Sequence, residues 1–198
     1  MAQHRPLARE SFVPQPSHSS HSGTFSATRV REVLTLPAPI LQCRAHQVDP
    51  RDPRVVALGL SLTATMRASP ACIGLAATQV GESAHLFVMD VTGHVKAKSC
   101  AGLVVMANAR IIEKNGETMM REGCMSVPHL TGNVLRASEV VVEGEEPGTA
   151  RTFRVAADGM EARCLQHEID HLEGLVFLDH VHDPSRDLFT RKTYAKPR

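Results

Sequence analysis

The stretch RCLQHEIDHLEG, residues 163–174, contains His-Glu-x-x-His. On a helix turning 100° per residue, His167, His171 and Cys164 fall within about 60° of one another, and Glu168 sits at the edge of that face. Two imidazoles so placed can hold one divalent ion while the carboxylate stands beside it without ligating. A divalent ion lowers the pKa of water toward neutrality, so the expected chemistry is hydrolysis. Leu165, Ile169 and Leu172 recur at i, i+4 and i+7 and form a separate stripe that would anchor the helix to a core.

Two histidines leave a catalytic ion short of the three protein ligands it usually takes. A metzincin would supply a third histidine at position 177, which is Phe177 here, and that family is argued against. Candidates for the third ligand include Cys124 in REGCMSVP, although a lone cysteine is more often a small buried hydrophobe. The five cysteines (Cys43, Cys72, Cys100, Cys124, Cys164) are scattered and form no CxxC pair. That pattern suits a reducing compartment and leaves thiol chemistry or metal binding as uses for them.

The elements that must position these residues read as α+β. Asp49-Pro50 has the form of an N-cap with proline in the first turn, and Val55, Leu58, Leu62 and Met66 follow at helical spacing. A helix over about 50–68 is expected, ended by Ser69-Pro70. Runs at 86–91, 103–112, 139–143 and 152–155 read as antiparallel strands, separated by Asn115-Gly116 and the GEEPG turn at 144–148. Asp158 and Glu161 form a capping-box pattern for a second helix, with Gly174 as its stop. The expected architecture is antiparallel strands packed around a C-terminal metal-binding helix, with an N-terminal helix and no βαβ alternation.

Residues 1–28, rich in Ser, His and Pro with Glu10 as their one acid, read as a disordered tail. An organellar transit peptide is the alternative for such a leader. Residues 29–182 read as one domain and 183–198 as a C-terminal extension. A net charge of +1, from 22 basic and 21 acidic residues, points to neither nucleic acid nor an anionic membrane. No apolar run approaches the roughly 20 residues that span a bilayer, and MAQHRPLARE lacks the apolar core of a secretory signal.

CIGLAATQVG at 72–81, EGCMSVP at 122–128 and QHEIDHLEG at 166–174 resemble, in order and spacing, the three signature motifs of the peptide deformylases. Gly132-Asn-Val-Leu-Arg136 and LVFLDHV extend the resemblance over about 29–182. It implies one metal ion held by Cys124, His167 and His171 with a water as fourth ligand, and Glu168 as the acid/base. It also implies that Gln79 and the backbone N–H of Met125 contact the formyl oxygen. Ile73, Gly74, Cys164, the stem of Arg163 and the ring of His167 are the candidates for binding the methionine end of the substrate. Iron(II) is the implied metal; zinc, nickel and cobalt also suit a Cys/His/His set. The implied partners are N-formylmethionyl nascent polypeptides at the ribosome, in bacterial cytoplasm, with no nucleic acid read directly and no membrane.

Three positions depart from the family pattern. Cys72 stands where the first glycine of Gly-x-Gly is usual, so a positive φ is disfavoured there, and either the local turn differs or the position is extended. Met125 replaces leucine, and Ala109 replaces a proline after Asn108, a strand-edge difference. The competing readings are a small metallopeptidase on the same helix, a catalytically silent relative that binds metal or nascent chains, and a redox thiol protein. The last is poorly supported without CxxC.

Overall fold

The computed structural model describes residues 29–192; the reading of residues 1–28 as a tail or leader lies outside them. Helix α1 (Pro53–Ala68) buries Val55, Leu62 and Met66, the face its periodicity picks out. Its N-cap is Asp52, whose side chain accepts from the Arg54 N–H at 2.8 Å. The start expected at Asp49-Pro50 is one turn early. Both Asp-Pro pairs carry the same signal, but the Asp52 N–H bonds back to the Asp49 carbonyl, and Asp49 serves a turn through the Arg51 N–H.

Strands β1 (Gly74–Ala76), β2 (Leu86–Met89), β3 (Val104–Asn115), β6 (Glu139–Glu145) and β7 (Thr152–Asp158) form one sheet in the order β1-β2-β3-β6-β7. A second sheet joins β4 (Thr118–Cys124), β5 (Val127–Arg136) and β8 (Leu188–Thr190) in the order β4-β5-β8. Neighbouring strands in both are antiparallel. The α+β class expected from the sequence is thus the class observed.

The four expected strands correspond to β2, β3, β6 and β7. The sequence reading missed β1, β4, β5 and β8. On β4 the inward set is Met120, Glu122 and Cys124, so a buried acid interrupts the apolar alternation that would announce a strand. On β5, Pro128 and Gly132 do the same. Ala109 lies at a register shift within β3, which is paired on both sides, so it belongs to a bulge and not to a strand edge. The preceding Asn108 has φ +51°, a conformation asparagine tolerates.

The central sheet is covered on both faces, which is why β2 is buried at every position. Leu86 and Val88 pack with Leu62 and Met66 of α1. Phe87 and Met89 face the other way, toward helix α2 (Gly159–Leu172), whose Leu165, Ile169 and Leu172 join that core. Asp158 is the N-cap residue of α2, but its side chain makes no capping bond. Asp158 Oδ1 instead accepts from the Ser99 N–H at 2.9 Å, and Glu161 Oε1 from the Ala101 N–H. The expected capping box therefore pins the β2–β3 loop across the start of the helix. Gly174 ends α2 as expected, at φ +77° and so close to the Cys43 backbone that a Cβ would lie 2.8 Å from its carbonyl carbon. Beyond residue 182, the short helix α3 (Pro184–Asp187) leads into β8, which pairs with β5. Among the described residues no helix is long and apolar enough to cross a membrane.

Candidate metal centre and active site

His167 and His171 sit one turn apart on α2, their ring centroids 5.0 Å apart at an interplanar angle of 82°. Cys124, at the end of β4, is buried against them, with Sγ 3.1 Å from His171 Nε2. One ligand atom from each of the three lies within 4.8 Å of the others. Burial alone would raise the Cys124 thiol, but His171 and His167 outweigh it and hold the group well below the usual thiol range. The Ser126 N–H also donates to Cys124 Sγ at 3.3 Å. A thiolate with two imidazoles is a donor set for zinc, iron, cobalt or nickel. The buried Glu168 Oε2 has no hydrogen-bond partner among the described residues, as expected for a carboxylate oxygen facing an ion's bound solvent. The residues present therefore fit one divalent ion.

Behind the donors lies a charged network that sequence reasoning did not find. Glu122 accepts at Oε2 from His167 Nδ1 at 2.9 Å, which leaves His167 Nε2 for an ion. The same carboxylate is gripped by Arg136 through Nε and Nη2 and by Arg163 through Nη1. Burial would raise its pKa, but the bonds from His167 and Arg136 prevail and hold it well below the carboxylate range. Arg136 Nη1 bonds Asp170 at 2.7 Å, and Asp170 in turn holds His180 at 2.9 Å. The available signal was the strand period: Glu122 lies two residues before Cys124 and so shares its face.

Glu168 is 3% exposed, and burial pushes its carboxyl up to about 7 against the opposing pull of His167 and His171. Gly74 on β1 makes room for it: a Cβ there would lie 2.7 Å from Glu168 Cδ, closer still to Oε1, and 2.8 Å from Cys164 Sγ. Cys164 Sγ itself reaches the Ile73 carbonyl at 3.5 Å. Gln79, in a 3-10 turn over Ala77–Val80, accepts from the Ala76 N–H through Oε1. Its Nε2 donates to Ser126 Oγ at 3.1 Å and lies 3.5 Å from Cys124 Sγ. Met125 and Ser126 are the two residues between β4 and β5, where Cys124 pairs with Val127. Arg163 is buried, its head group turned to Glu122 and to the Val134 and Thr118 carbonyls. The left-handed residue of the turn before β1 is Ala71, at φ +58°, and not Cys72, whose thiol bonds the Gly74 carbonyl at 3.1 Å. Burial and the Glu168 charge push the Cys72 thiol up to about 12.

A sequence model of the polypeptide deformylase family matches residues 30–187. The chain belongs to that family. It is 40% identical over 167 residues to a peptide deformylase of Syntrophobacter fumaroxidans, covering 84% of this chain and 95% of that one. With a peptide deformylase of Halothermothrix orenii it shares 40% identity over 152 residues, 77% and 94% of the two chains. Among solved structures, the Ehrlichia chaffeensis peptide deformylase in complex with actinonin superposes with a TM-score of 0.73 at 31% identity, covering 80% of this chain and 92% of that one. The Legionella pneumophila peptide deformylase gives a TM-score of 0.70 at 34% identity over 79% and 89%. The three deformylase motifs thus fall on β1 with its 3-10 turn, on the β4–β5 hairpin, and on α2, and all three meet at the Cys/His/His cluster.

Proposed function

We propose that this chain is a metal-dependent hydrolase that removes the formyl group from the N-terminal methionine of newly synthesised polypeptides, releasing formate. The observation that carries the reading is a buried carboxylate, Glu168, whose Oε2 has no hydrogen-bond partner among the described residues, beside the Cys124/His167/His171 donor set in a chain of the deformylase family. Cys124, His167 and His171 hold one divalent ion, which when bound supplies Lewis acidity and water activated near neutral pH. Iron(II) is the proposed ion, a choice the thiolate donor permits and family likeness favours.

Glu168 takes the proton of the attacking water and returns it to the departing amine, a transfer worth about 10²–10⁴ in rate. Burial raises the Glu168 carboxyl, against the pull of neighbouring positive charge, toward the range in which it can both accept and return a proton. Gln79, oriented by its bonds to Ala76 and Ser126, and the Met125 backbone N–H meet the charge that develops on the formyl oxygen. Ile73, Gly74, Cys164, the stem of Arg163 and the ring of His167 receive the methionine end of the substrate. Glu122 keeps the His167 ring in place during turnover. The setting is nascent chains at the ribosome in bacterial cytoplasm.

The test compares formyl, acetyl and free-amine versions of one Met-Ala-Ser peptide, anaerobically with iron(II) supplied. An acetyl methyl overpacks the space among the water, Gln79 and Met125 at a cost of about 1–3 kcal/mol, and the acetyl carbonyl is intrinsically less electrophilic. Together these make the formyl peptide the better substrate by more than about a hundredfold in kcat/KM. Equal rates on the two blocked peptides, or cleavage of the unblocked one, would overturn the substrate while leaving the metal site standing.

A further inference from the structure

We propose that residues 31–37 form a positioning strap that sets the spacing between the two donors for the formyl oxygen, Gln79 and the Met125 N–H, by bonding a backbone carbonyl beside each. The proposal rests on the reading above that these two groups meet the charge developing on that oxygen.

The two donors come from separate sheets. Gln79 belongs to the 3-10 turn that follows β1, at the edge of the five-stranded sheet. Met125 and Ser126 belong to the β4–β5 connection of the three-stranded sheet, and the two sheets share no strand. Pairing within either sheet therefore leaves the distance between the donors open. The strap crosses that gap. The Leu34 N–H donates to the Gln79 carbonyl at 2.8 Å, and the Leu36 N–H donates to the Ser126 carbonyl at 3.0 Å. Alternate N–H groups of an extended run face the same way, and two of its residues rise about 6–7 Å, so one short segment holds both backbones at about that separation. The bond from Gln79 Nε2 to Ser126 Oγ at 3.1 Å crosses the same gap from the side-chain side.

The strap is anchored before, along and after these bonds. The Arg31 N–H donates to Thr65 Oγ1 on α1 at 2.9 Å, and Arg31 Nη2 meets Glu82 Oε1 at 2.7 Å. Val33 packs on the core of Leu62, Leu75 and Val80, whereas Leu36 packs on the core of Cys124, Val127 and Phe177. The Ala38 N–H closes a turn onto the Thr35 carbonyl at 3.0 Å, and the buried Leu41 follows in a 3-10 turn over Pro39–Gln42. The Thr35 N–H, between the two that bond the site, has no partner among the described residues.

Donors of this kind act only within about 2.7–3.1 Å of the developing charge, and a misplacement of about 1 Å costs on the order of 10²-fold. The Gln79 carbonyl carbon is bonded to the Cα that carries the donating side chain, so fixing one fixes the base of the other. Cys124 is held independently, by its pairing with Val127 and by the Ser126 N–H. Releasing the strap should therefore disturb the donors while the metal ligands stay in place.

Cys43 allows the strap to be altered one atom at a time. A peptide thioester of residues 1–42 is ligated to recombinant 43–198, and the full chain is loaded anaerobically with iron(II). The α-hydroxy analogue of leucine at position 34 replaces that N–H by an ester oxygen and leaves every side chain unchanged. Expected are one metal per chain, an unchanged KM, and kcat for formyl-Met-Ala-Ser down by about tenfold or more, because a contact made only in the transition state lowers kcat without raising KM. With Gln79→Ala in the recombinant part, the same ester should lower kcat by less than about threefold, since the donor that it positions is gone. An ester at Thr35 deletes an N–H that bonds nothing and should leave kcat within about twofold. Unchanged kcat in the Leu34 ester, an equal loss in both backgrounds, or a loss matched by the Thr35 ester would each overturn the proposal. If the Leu34 ester does not fold, the Leu36 ester, which frees the hairpin side, decides by the same comparison. Failure of the unmodified ligated chain to release formate with its metal bound would instead overturn the deformylase reading, and the strap's role with it.

Discussion

Replacing Gly74 with alanine should disable turnover while leaving the metal bound. The added Cβ would stand 2.7 Å from Glu168 Cδ, nearer to Oε1, and 2.8 Å from Cys164 Sγ. Non-bonded carbons settle at about 3.5–4.0 Å, so the carboxylate must retreat by roughly 0.8–1.3 Å. It is 3% exposed on a packed helix, so open solvent does not take up the displacement. A displacement of about 1 Å in a reacting group costs on the order of 10²-fold. Gly74 is not among the left-handed glycines, so its backbone accepts alanine, and the stability cost is limited to overpacking, about 1–3 kcal/mol. The assay is kcat/KM for formyl-Met-Ala-Ser with iron(II), alongside elemental analysis and thermal unfolding. Expected are a folded protein, one metal per chain, and kcat/KM down by about 10² or more. Adding Cys164→Ala removes the sulfur contact but not the carboxylate contact, so it should not restore the rate. Near-normal turnover of Gly74→Ala with full metal content would refute the idea that this gap positions Glu168.

Glu168→Gln should keep the metal and lose nearly all turnover, because the amide retains the shape but cannot accept a proton; substantial residual deformylation would remove Glu168 from the acid/base role. Cys124→Ala should deplete the metal, and a content still at one ion per chain by elemental analysis would mean that another residue is the third ligand. Glu122→Gln should weaken metal affinity by about 10–100-fold, read by chelator competition, since His167 loses its carboxylate partner. In metal-free protein it should also cost about 3–5 kcal/mol in urea unfolding at pH 7, because Arg136 and Arg163 lose a buried counter-charge. The folded-state pKa of Glu122 is depressed, so its stabilisation is complete above the unfolded value of about 4.3 and fades as pH falls below it. The gap between the two proteins should therefore narrow below about pH 4; a gap that is constant with pH would mean that charge is not its source.

The sequence by itself determined what short-range periodicity encodes. A helix repeats every 3.6 residues whatever surrounds it, so the grouping of His167, Glu168 and His171 on α2, and the opposite stripe of Leu165, Ile169 and Leu172, were legible in one segment. Strands β2, β3, β6 and β7, as apolar and β-branched runs between turn signals, were legible for the same local reason. Two equal local signals compete at Asp49-Pro50 and Asp52-Pro53; both aspartates accept from the amide two residues on, and the helix begins only after the second. Asp158 and Glu161 were drawn from their own helix start to loop amides of Ser99 and Ala101, partners about sixty positions away in the chain. Only the tertiary structure decided that Cys124 meets the two histidines. That meeting depends on a β4–β5 hairpin whose inward acid, Glu122, makes its strand unreadable as apolar alternation. The acid is tolerable inside because Arg136 from β5 and Arg163 from α2 converge on it, and no local pattern encodes a charge balanced by partners 14 and 41 residues away. The room for Glu168 was likewise decided by packing: a glycine on an edge strand of one sheet faces a helix that the chain reaches only after six more strands.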